Sequence, residues 1–167
     1  PFWYCIKSIV ADVKVNGVSV ENFTRTTIDL MQYQNGLTQL LGDLELQSGN
    51  YTNVELVLDY DTDASGNAPG CYVELVNGAK DEIQATANSI VINDGFQVLP
   101  SLTNNIIIDF DIRKAITTNG SGDFELVTMG ELSNSIRVVN QELSGEISGI
   151  VTDTQNSSER IIVYAYE

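Results

Sequence analysis

Short apolar segments that alternate with polar residues recur along the chain at intervals of roughly 8–12 residues. In one such segment Leu44 and Leu46 share a face. In the next, Val54, Leu56 and Leu58 do so. A period of two puts the apolar side chains on one side of a strand, where a second layer must cover them. The pattern predicts an all-β fold: an immunoglobulin- or transthyretin-like β-sandwich with one or two short connecting helices.

Three Asn-Gly or Asp-Gly pairs are predicted to form tight hairpin turns, because these residues tolerate the left-handed backbone that such turns require. They are Asn16-Gly17, Asn77-Gly78 and Asp94-Gly95. The last pair separates the apolar segments 89–93 and 96–99. We therefore expect those two segments to pair with each other.

Two stretches depart from the alternation and are predicted to be helical. Between residues 30 and 41 the apolar residues follow helical spacing, and Gly42 is placed to end the helix. Further along, Thr128 and Glu131 have the spacing of a capping box, with Leu132 behind them. Both helices would serve as connections over the ends of the sandwich.

The length of 167 residues fits one domain that buries enough surface for a true core. We expect a sandwich domain over residues 1–142. A C-terminal β-hairpin over residues 143–167, with strands at 144–153 and 160–166, is expected to pack on it or to belong to a neighbouring domain. The chain opens at Pro1 in a strand-like run, so any export signal or lipid-attachment cysteine is expected upstream.

The charge balance and the missing histidine narrow the classes of function. The 23 acidic residues outnumber the 8 basic ones and give a net charge of -15, which repels nucleic acid and anionic lipid. No histidine is present, so the commonest general base and histidine-ligated zinc are excluded. We therefore expect no nucleic-acid partner and no enzymatic activity.

An acidic loop between residues 59 and 72 is the local stretch best equipped to hold a cation. Its candidate calcium ligands are Asp59, Asp61, Asp63, Ser65 and Asn67. Calcium takes 6–8 oxygen ligands, and the spacing resembles the start of an EF-hand loop. Ala64 and Gly70, however, stand where that loop has its glycine and its glutamate. The alternative is a solvated turn without a cofactor, in which aspartate and asparagine serve turn chemistry.

Tyr60 and Tyr72 bracket the acidic loop and are the candidate ligand-binding residues. Exposed aromatic rings can stack on sugars, so a glycan is one expected partner. The alternative is that both rings are core or cross-strand partners, as most aromatic side chains in strands are.

Asp109 and Asp111 share one face of the predicted strand 105–112. Paired carboxylates at a suitable separation can hydrolyse glycosides. The interpretation we favour is that they occupy outward positions and pair with Arg113 or Lys114. Asp29 precedes the predicted helix 30–41 and is expected to cap it rather than to act as a base. No catalytic residue is predicted.

Cys5 and Cys71 are the two cysteines of the chain, and they admit two interpretations. In an oxidising compartment they could form one disulfide. Alternatively, both are small buried side chains. They form no Cys-x-x-Cys motif, so a thiolate metal site is not expected.

Several spaced motifs, in this order, resemble the DUF4382 family, and the acidic loop is similar to that of Bacteroidetes-type members. The motifs are Ile28-Asp29-Leu30, Gln34-Asn35-Gly36, Leu40-Leu41-Gly42, Gly49-Asn50-Tyr51-Thr52 and the segments 61–72, 108–115 and 131–139. Residues 145–153 are in addition similar to the first strand of carboxypeptidase regulatory-like sandwiches.

The resemblance implies a β-sandwich body in an exported protein of unknown function, often a lipoprotein that reaches the membrane only through an upstream lipid anchor. We expect a non-enzymatic module at the outer-membrane surface or in the periplasm. It would act in adhesion, assembly or ligand capture, with an envelope protein or a glycan as its partner. The alternative is a calcium-assisted carbohydrate-binding protein.

Overall fold

The computed structural model describes residues 3–33, 36–145, 148–150 and 152, and this part is an all-β, sandwich-like fold of antiparallel sheets. The fold class that the alternation predicts is therefore confirmed. The strands in chain order are β1 (Trp3–Val15), β2 (Val18–Ser19), β3 (Thr26–Asp29), β4 (Gly49–Tyr51), β5 (Val54–Leu58), β6 (Tyr72–Leu75), β7 (Lys80–Glu82), β8 (Ser89–Ile92), β9 (Phe96–Val98), β10 (Ile106–Phe110), β11 (Ile116–Thr118), β12 (Phe124–Leu126) and β13 (Ile136–Asn140). Two short helices are α1 (Ile112–Ala115) and α2 (Met129–Leu132), and 3₁₀ turns lie at Leu30–Gln32 and Gln141–Leu143.

The long strand β1 is the centre of the main sheet, whose strand order is β7-β6-β1-β5-β8, with β2 and β3 also paired to β1. Its first half pairs with β6 and its second half with β5, and the register with β5 shifts between Val10 and Asp12. A bulge of this kind bends a strand and lets consecutive residues face the same side. Val10 and Val13 lie on either side of this shift, and both are buried.

The core joins the main sheet to the smaller β10–β13 pair. Ile90 and Ile92 of β8 and Ile136 of β13 are almost fully buried, and β8 contacts β13. Burying an aliphatic side chain of this size contributes about 1.5–3 kcal/mol. The other two strand pairs are β4 with β9 and β11 with β12.

Two of the three predicted hairpin turns are confirmed. Asn16 and Gly17 both have positive φ and join β1 to β2. Gly78 also has positive φ, and the turn at Asn77-Gly78 joins β6 to β7. The left-handed backbone explains the glycine of both turns and the asparagine at position 16.

The third predicted hairpin, at Asp94-Gly95, is wrong. β8 pairs with β5, whereas β9 pairs with β4, so the chain changes sheets at this point. The carboxylate of Asp94 accepts the N–H of Val138 at 3.2 Å. A Cβ on Gly95 would lie 2.9 Å from the carbonyl oxygen of Tyr51, so a close approach of two backbones requires the glycine.

The predicted helix over 30–41 is also wrong. A single 3₁₀ turn at Leu30–Gln32 follows Asp29, and the described residues 36–48 contain no helix or strand. Gly36 has a φ of +83°, which an α-helix cannot accommodate. Leu44 and Leu46, which we expected in a strand, are half-buried against the core without one.

The second predicted helix is confirmed as α2. The carboxylate of Glu131 accepts the N–H and the hydroxyl of Thr128, at 3.1 and 2.7 Å, and Leu132 is buried. The helix α1 and the strand pair β11–β12 were not predicted, because segments of three or four residues carry little periodicity.

The predicted C-terminal hairpin falls largely outside the described residues. Residues 144, 145, 148–150 and 152 form no strand, so the predicted strand 144–153 is not formed at these positions. The predicted strand 160–166 lies outside the described residues. Among the described residues, no helix is long and apolar enough to cross a membrane.

Candidate functional site

The acidic loop leaves the main sheet at the end of β5 and is anchored there by Asp59. The N–H of Asp59 donates to the carbonyl of Ile9 at 3.0 Å, which continues the pairing with β1. Its Oδ1 atom accepts the N–H groups of Asp61 and Thr62, at 2.9 and 3.2 Å. Its Oδ2 atom lies 2.6 Å from Nη2 of Arg25. One carboxylate therefore closes the first turn of the loop and ties it to the segment before β3.

Arg25 is the residue of this site that sequence reasoning missed. Its Nη2 atom also donates to the carbonyl and the hydroxyl oxygen of Thr62, at 2.5 and 2.8 Å. Burial alone would raise the pKa of Asp59, but the N–H groups of Thr62 and Asp61 and the charge of Arg25 outweigh it and lower this pKa. The one hint that the sequence offered was its composition: Arg25 is one of 8 basic residues in a chain with 23 acidic ones.

The second turn of the loop is built by Asp63. Its Oδ1 atom accepts the N–H groups of Ser65 and Asn67, at 2.8 and 2.9 Å. The N–H of Asp63 in turn donates to the carbonyl of Asn67 at 2.7 Å. The N–H of Asn67, followed by that of Ser65, lowers the pKa of the Asp63 carboxyl, because both bonds favour its charged form. This arrangement is the turn chemistry that aspartate provides.

The loop closes at Gly70, which follows a cis Ala68–Pro69 bond. The N–H of Gly70 donates to the carbonyl of Tyr60 at 2.8 Å. A Cβ at this position would lie 2.3 Å from the carbonyl oxygen of Asp59, which is well inside contact distance. Only glycine fits where the two ends of the loop meet.

The three carboxylates do not point to one centre. Asp59 faces Arg25, and Asp63 folds back on Ser65 and Asn67. The carboxylate of Asp61 is exposed and has no hydrogen-bond partner among the described residues. In that part of the chain, no group of three or more acidic or cysteine side chains is arranged to hold a metal ion. Calcium binding by Asp59, Asp61, Asp63, Ser65 and Asn67 stays a prediction.

The two tyrosines that bracket the loop differ in accessibility. Tyr72 is only 6% exposed, and Nζ of Lys80 lies 4.4 Å above its ring, so this ring offers a ligand little surface. Tyr60 lines a shallow depression of about 360 Å³ together with Asp59 and Asp61. Its hydroxyl is buried without a partner in the described part of the chain, and burial raises its pKa. Ligand binding by Tyr60 and Tyr72 stays a prediction, with Tyr60 the better placed.

One family comparison matches most of the described chain. The profile described as "Domain of unknown function (DUF4382)" matches residues 3–128. This chain belongs to the DUF4382 family. No curated protein and no solved structure matches it. The finer resemblances, to Bacteroidetes-type lipoproteins and of residues 145–153 to carboxypeptidase regulatory-like sandwiches, stay predictions.

Both cysteines of this DUF4382 chain are free and buried, so the disulfide interpretation is wrong and the buried-thiol interpretation is confirmed. Strand pairing sets Cys5 opposite Glu74, whereas Cys71 contacts Ile9 through an N–H bond of 3.4 Å to its sulfur. Burial, followed by the bond to Glu74, raises the pKa of Cys5 to about 11. Burial also raises the pKa of Cys71. Neither thiol is a reactive thiolate at neutral pH.

The remaining acidic candidates of the DUF4382 chain lie in ion pairs. Asp109 pairs with Arg137 across β10 and β13 at 2.5 Å, a partner that we did not predict. Asp111 lies 3.3 Å from Lys114, which we did predict. Asp29 accepts the N–H of Met31 at 3.2 Å, so its predicted capping role is confirmed.

Proposed function

We propose that this DUF4382 chain is a non-enzymatic module of an exported protein at the cell envelope, held there through an upstream lipid anchor. It captures or adheres to an envelope protein or a glycan. The proposal places the module on the outer-membrane surface or in the periplasm.

The observation that supports it best is that three carboxylates considered as metal-binding or catalytic groups lie in ion pairs. Asp59 is bound by Arg25, Asp109 by Arg137, and Asp111 by Lys114. A general acid or base needs a free carboxyl that faces a substrate. Together with the absence of histidine, these pairs favour binding over catalysis.

Co-sedimentation with isolated outer-membrane vesicles of a Gram-negative bacterium tests the proposal. We expect saturable binding of the full 167-residue chain, and protease treatment of the vesicles then separates a protein partner from a glycan. Vesicles of phosphatidylglycerol serve as the control, because a net charge of -15 opposes binding to them. Absence of binding to the outer-membrane vesicles, or turnover of chromogenic glycosides or peptides, would contradict the proposal.

Calcium-assisted carbohydrate binding is the second candidate, favoured by the depression that Tyr60 shares with Asp59 and Asp61. An aromatic ring beside carboxylates offers a sugar both stacking and hydrogen-bond acceptors. The exposed Asp61 carboxylate is free to take a cation.

Thermal unfolding with added calcium chloride tests this second candidate. We expect calcium to raise the melting temperature. The shift should vanish in Asp61→Ala and Asp63→Ala but persist in the control Asp81→Ala, which alters a strand outside the loop. An unchanged melting temperature at millimolar calcium would dismiss the calcium site.

A further inference from the structure

The turn between β11 and β12 is held by the side chain of Asn119. Its Oδ1 atom accepts the N–H groups of Ser121 and Asp123, at 2.9 and 3.0 Å. Its Nδ2 atom donates to Oδ2 of Asp123 at 3.2 Å. The N–H of Gly122 also donates to the carbonyl of Asn119 at 3.0 Å. The carboxamide of Asn119 is therefore folded over the backbone that follows it.

Gly120 follows Asn119, and such a pair can react with itself. The backbone nitrogen after an asparagine attacks the side-chain amide carbon and closes a succinimide ring, and glycine hinders this step least because it has no Cβ. Oδ1 of Asn119 reaches the N–H of Ser121, so the amide carbon lies over the intervening Gly120 peptide. Gly120 is exposed, and a Cβ built on it would meet no atom within 4 Å. The nitrogen and the amide carbon thus lie side by side in a turn that water and base can enter.

We propose that Asn119-Gly120 is a site of self-modification, at which Asn119 converts to aspartate and isoaspartate. Hydroxide takes the proton of the Gly120 N–H, and the nitrogen forms a bond to Cγ of Asn119. The bond between Cγ and Nδ2 then breaks, and the leaving nitrogen takes a proton from water and departs as ammonia. Water opens the succinimide at either carbonyl, which gives aspartate or isoaspartate. Nothing is oxidised or reduced, and water is the only co-reactant.

The turn stabilises the transition state of the ring closure. Negative charge develops on Oδ1 of Asn119 as the nitrogen attacks, and the N–H groups of Ser121 and Asp123 already donate to this atom. Donors fixed where charge develops are the arrangement of an oxyanion hole. In a water-excluded active site one such donor contributes about 100-fold or more in rate, and in this exposed turn we expect about 10-fold. The closed turn also holds nitrogen and carbon together before they react.

Two further Asn-Gly pairs lie wholly within the described residues and provide comparisons. In the first, Asn16-Gly17, the Oδ1 atom of Asn16 accepts the N–H groups of Thr52 and Asn53, at 2.9 and 3.3 Å. These donors belong to another segment, so the carboxamide of Asn16 is turned toward that segment and not over the Gly17 peptide. We therefore expect Asn16 to react more slowly than Asn119.

The second comparison, Asn77-Gly78, differs at the attacking nitrogen. The N–H of Gly78 donates to the carbonyl of Leu75 at 2.9 Å, and this bond holds the proton that must leave before the nitrogen can attack. The N–H of Gly120 has no acceptor among the described residues. Oδ1 of Asn77 accepts one N–H, that of Ala79 at 3.0 Å, where Oδ1 of Asn119 accepts two. Asn77 should therefore also react more slowly than Asn119.

Conversion of Asn119 loosens the turn that its amide now closes. The Nδ2 group that donates to Asp123 is replaced by an oxygen of a second carboxylate, and like charges at that separation repel. β12 begins directly after this turn, and the carbonyl of Phe124 accepts the N–H of Gln84 at 2.7 Å. The change therefore reaches the segment between β7 and β8. The inference stands independently of the proposed envelope role.

Hydrogen exchange on two matched variants tests the effect on the turn. Asn119→Asp and Asn77→Asp each add one negative charge to a turn, but only the first places it against Asp123. We expect the amide of Gly122 to exchange at least about 10-fold faster in Asn119→Asp than in the unaltered chain, and at an unchanged rate in Asn77→Asp. Unchanged exchange at Gly122 in Asn119→Asp would mean that conversion does not loosen the turn.

Peptide mapping by mass spectrometry tests the modification itself. The full chain is incubated at mildly alkaline pH, once folded and once in urea that unfolds it, and aspartate and isoaspartate are quantified at each pair over time. In the unfolded chain all three asparagines precede a glycine and should react at similar rates. In the folded chain we expect Asn119 to react at least about 10-fold faster than Asn16 and Asn77.

Low urea separates reaction inside the closed turn from reaction after the turn opens. At urea concentrations below the unfolding transition, opening of the turn becomes more frequent. A reaction that uses the closed turn should keep its rate there, and this result would support the proposal. Either of two results would overturn it: an Asn119 rate in the folded chain no higher than those of Asn16 and Asn77, or an Asn119 rate that rises with low urea.

Discussion

The acidic loop 59–70 and the segment 36–48 both lack strands and helices, yet they are held in different ways. The loop is closed by backbone and carboxylate bonds, such as those of Asp63 to Asn67 and of Gly70 to Tyr60. In the segment, no backbone–backbone hydrogen bond forms to any described residue. Its half-buried Leu41, Leu44 and Leu46 contact the core instead. The loop is thus ordered by polar turn chemistry and the segment by apolar anchors, and single changes should affect them differently.

The largest effect is expected at the point where the loop closes. Gly70→Ala places a methyl group 2.3 Å from the carbonyl oxygen of Asp59 and 2.8 Å from that of Thr62. The backbone must move, so we expect a loss of about 3 kcal/mol in the free energy of unfolding, measured by urea denaturation.

Gly130→Ala is the matched control for this change. Gly130 lies in α2, and an added Cβ meets no atom within 4 Å. Alanine also favours helix, so stability should be unchanged or rise by up to about 1 kcal/mol. A Gly70→Ala protein as stable as Gly130→Ala would mean that the loop does not close as described.

The next effect tests the anchor of the loop to a distant segment. Arg25→Ala removes the partner of Asp59 and of both Thr62 oxygens. Bonds to charged groups contribute about 1.5–3 kcal/mol, and the partial exposure of this pair lowers the expectation to about 1–2 kcal/mol. Chemical denaturation measures the loss.

Arg113→Ala provides the comparison, because its side chain is 91% exposed and lies 3.9 Å from Asp111. We expect no measurable change there. Equal effects of the two substitutions would mean that Arg25 does not stabilise the loop.

The contacts in these two irregular regions show which features could be predicted from the sequence and which could not. Turn chemistry was the alternative to calcium ligation for Asp59 and Asp63, and it could be considered from the sequence because turn partners are local: those observed lie within four positions. Arg25, 34 positions away from Asp59, carries no local signal that would reveal the contact. Strands and tight turns were predictable for the same reason: their period of two and their left-handed glycines are local properties.

The failed predictions required contacts between distant residues. The leucines in 30–41 have helical spacing, but Leu41 packs on the core from an irregular backbone. Asp94-Gly95 has the composition of a hairpin turn, but its backbone path is set by contacts with Val138 and Tyr51, which lie on other strands. Tertiary contacts here override local preference.

A smaller effect is expected for the apolar anchors of the segment 36–48. Leu44 is half-buried against the core, so Leu44→Ala should lower stability by about 1 kcal/mol, less than the 2–5 kcal/mol of a fully buried leucine. Leu40 is 73% exposed, and Leu40→Ala should have no effect. If the two variants unfold at the same urea concentration, the segment is not anchored through Leu44.

The smallest effect concerns the acid limit of the loop. The pKa of Asp59 is lowered in the folded chain, so its charge contributes stability above its ordinary pKa of 3.8 and loses that contribution as the pH falls through the folded value. Asp59→Asn should therefore cost about 0.5 kcal/mol at neutral pH, and the difference in unfolding free energy from the unaltered protein should shrink as the pH falls below the ordinary pKa of 3.8. Asp61→Asn changes an exposed carboxylate without a partner among the described residues, and its unfolding free energy at neutral pH should match that of the unaltered protein. Urea denaturation from neutral pH down to about pH 2 measures these differences. If the difference in unfolding free energy between Asp59→Asn and the unaltered protein widens in acid, the charge of Asp59 does not stabilise the folded chain.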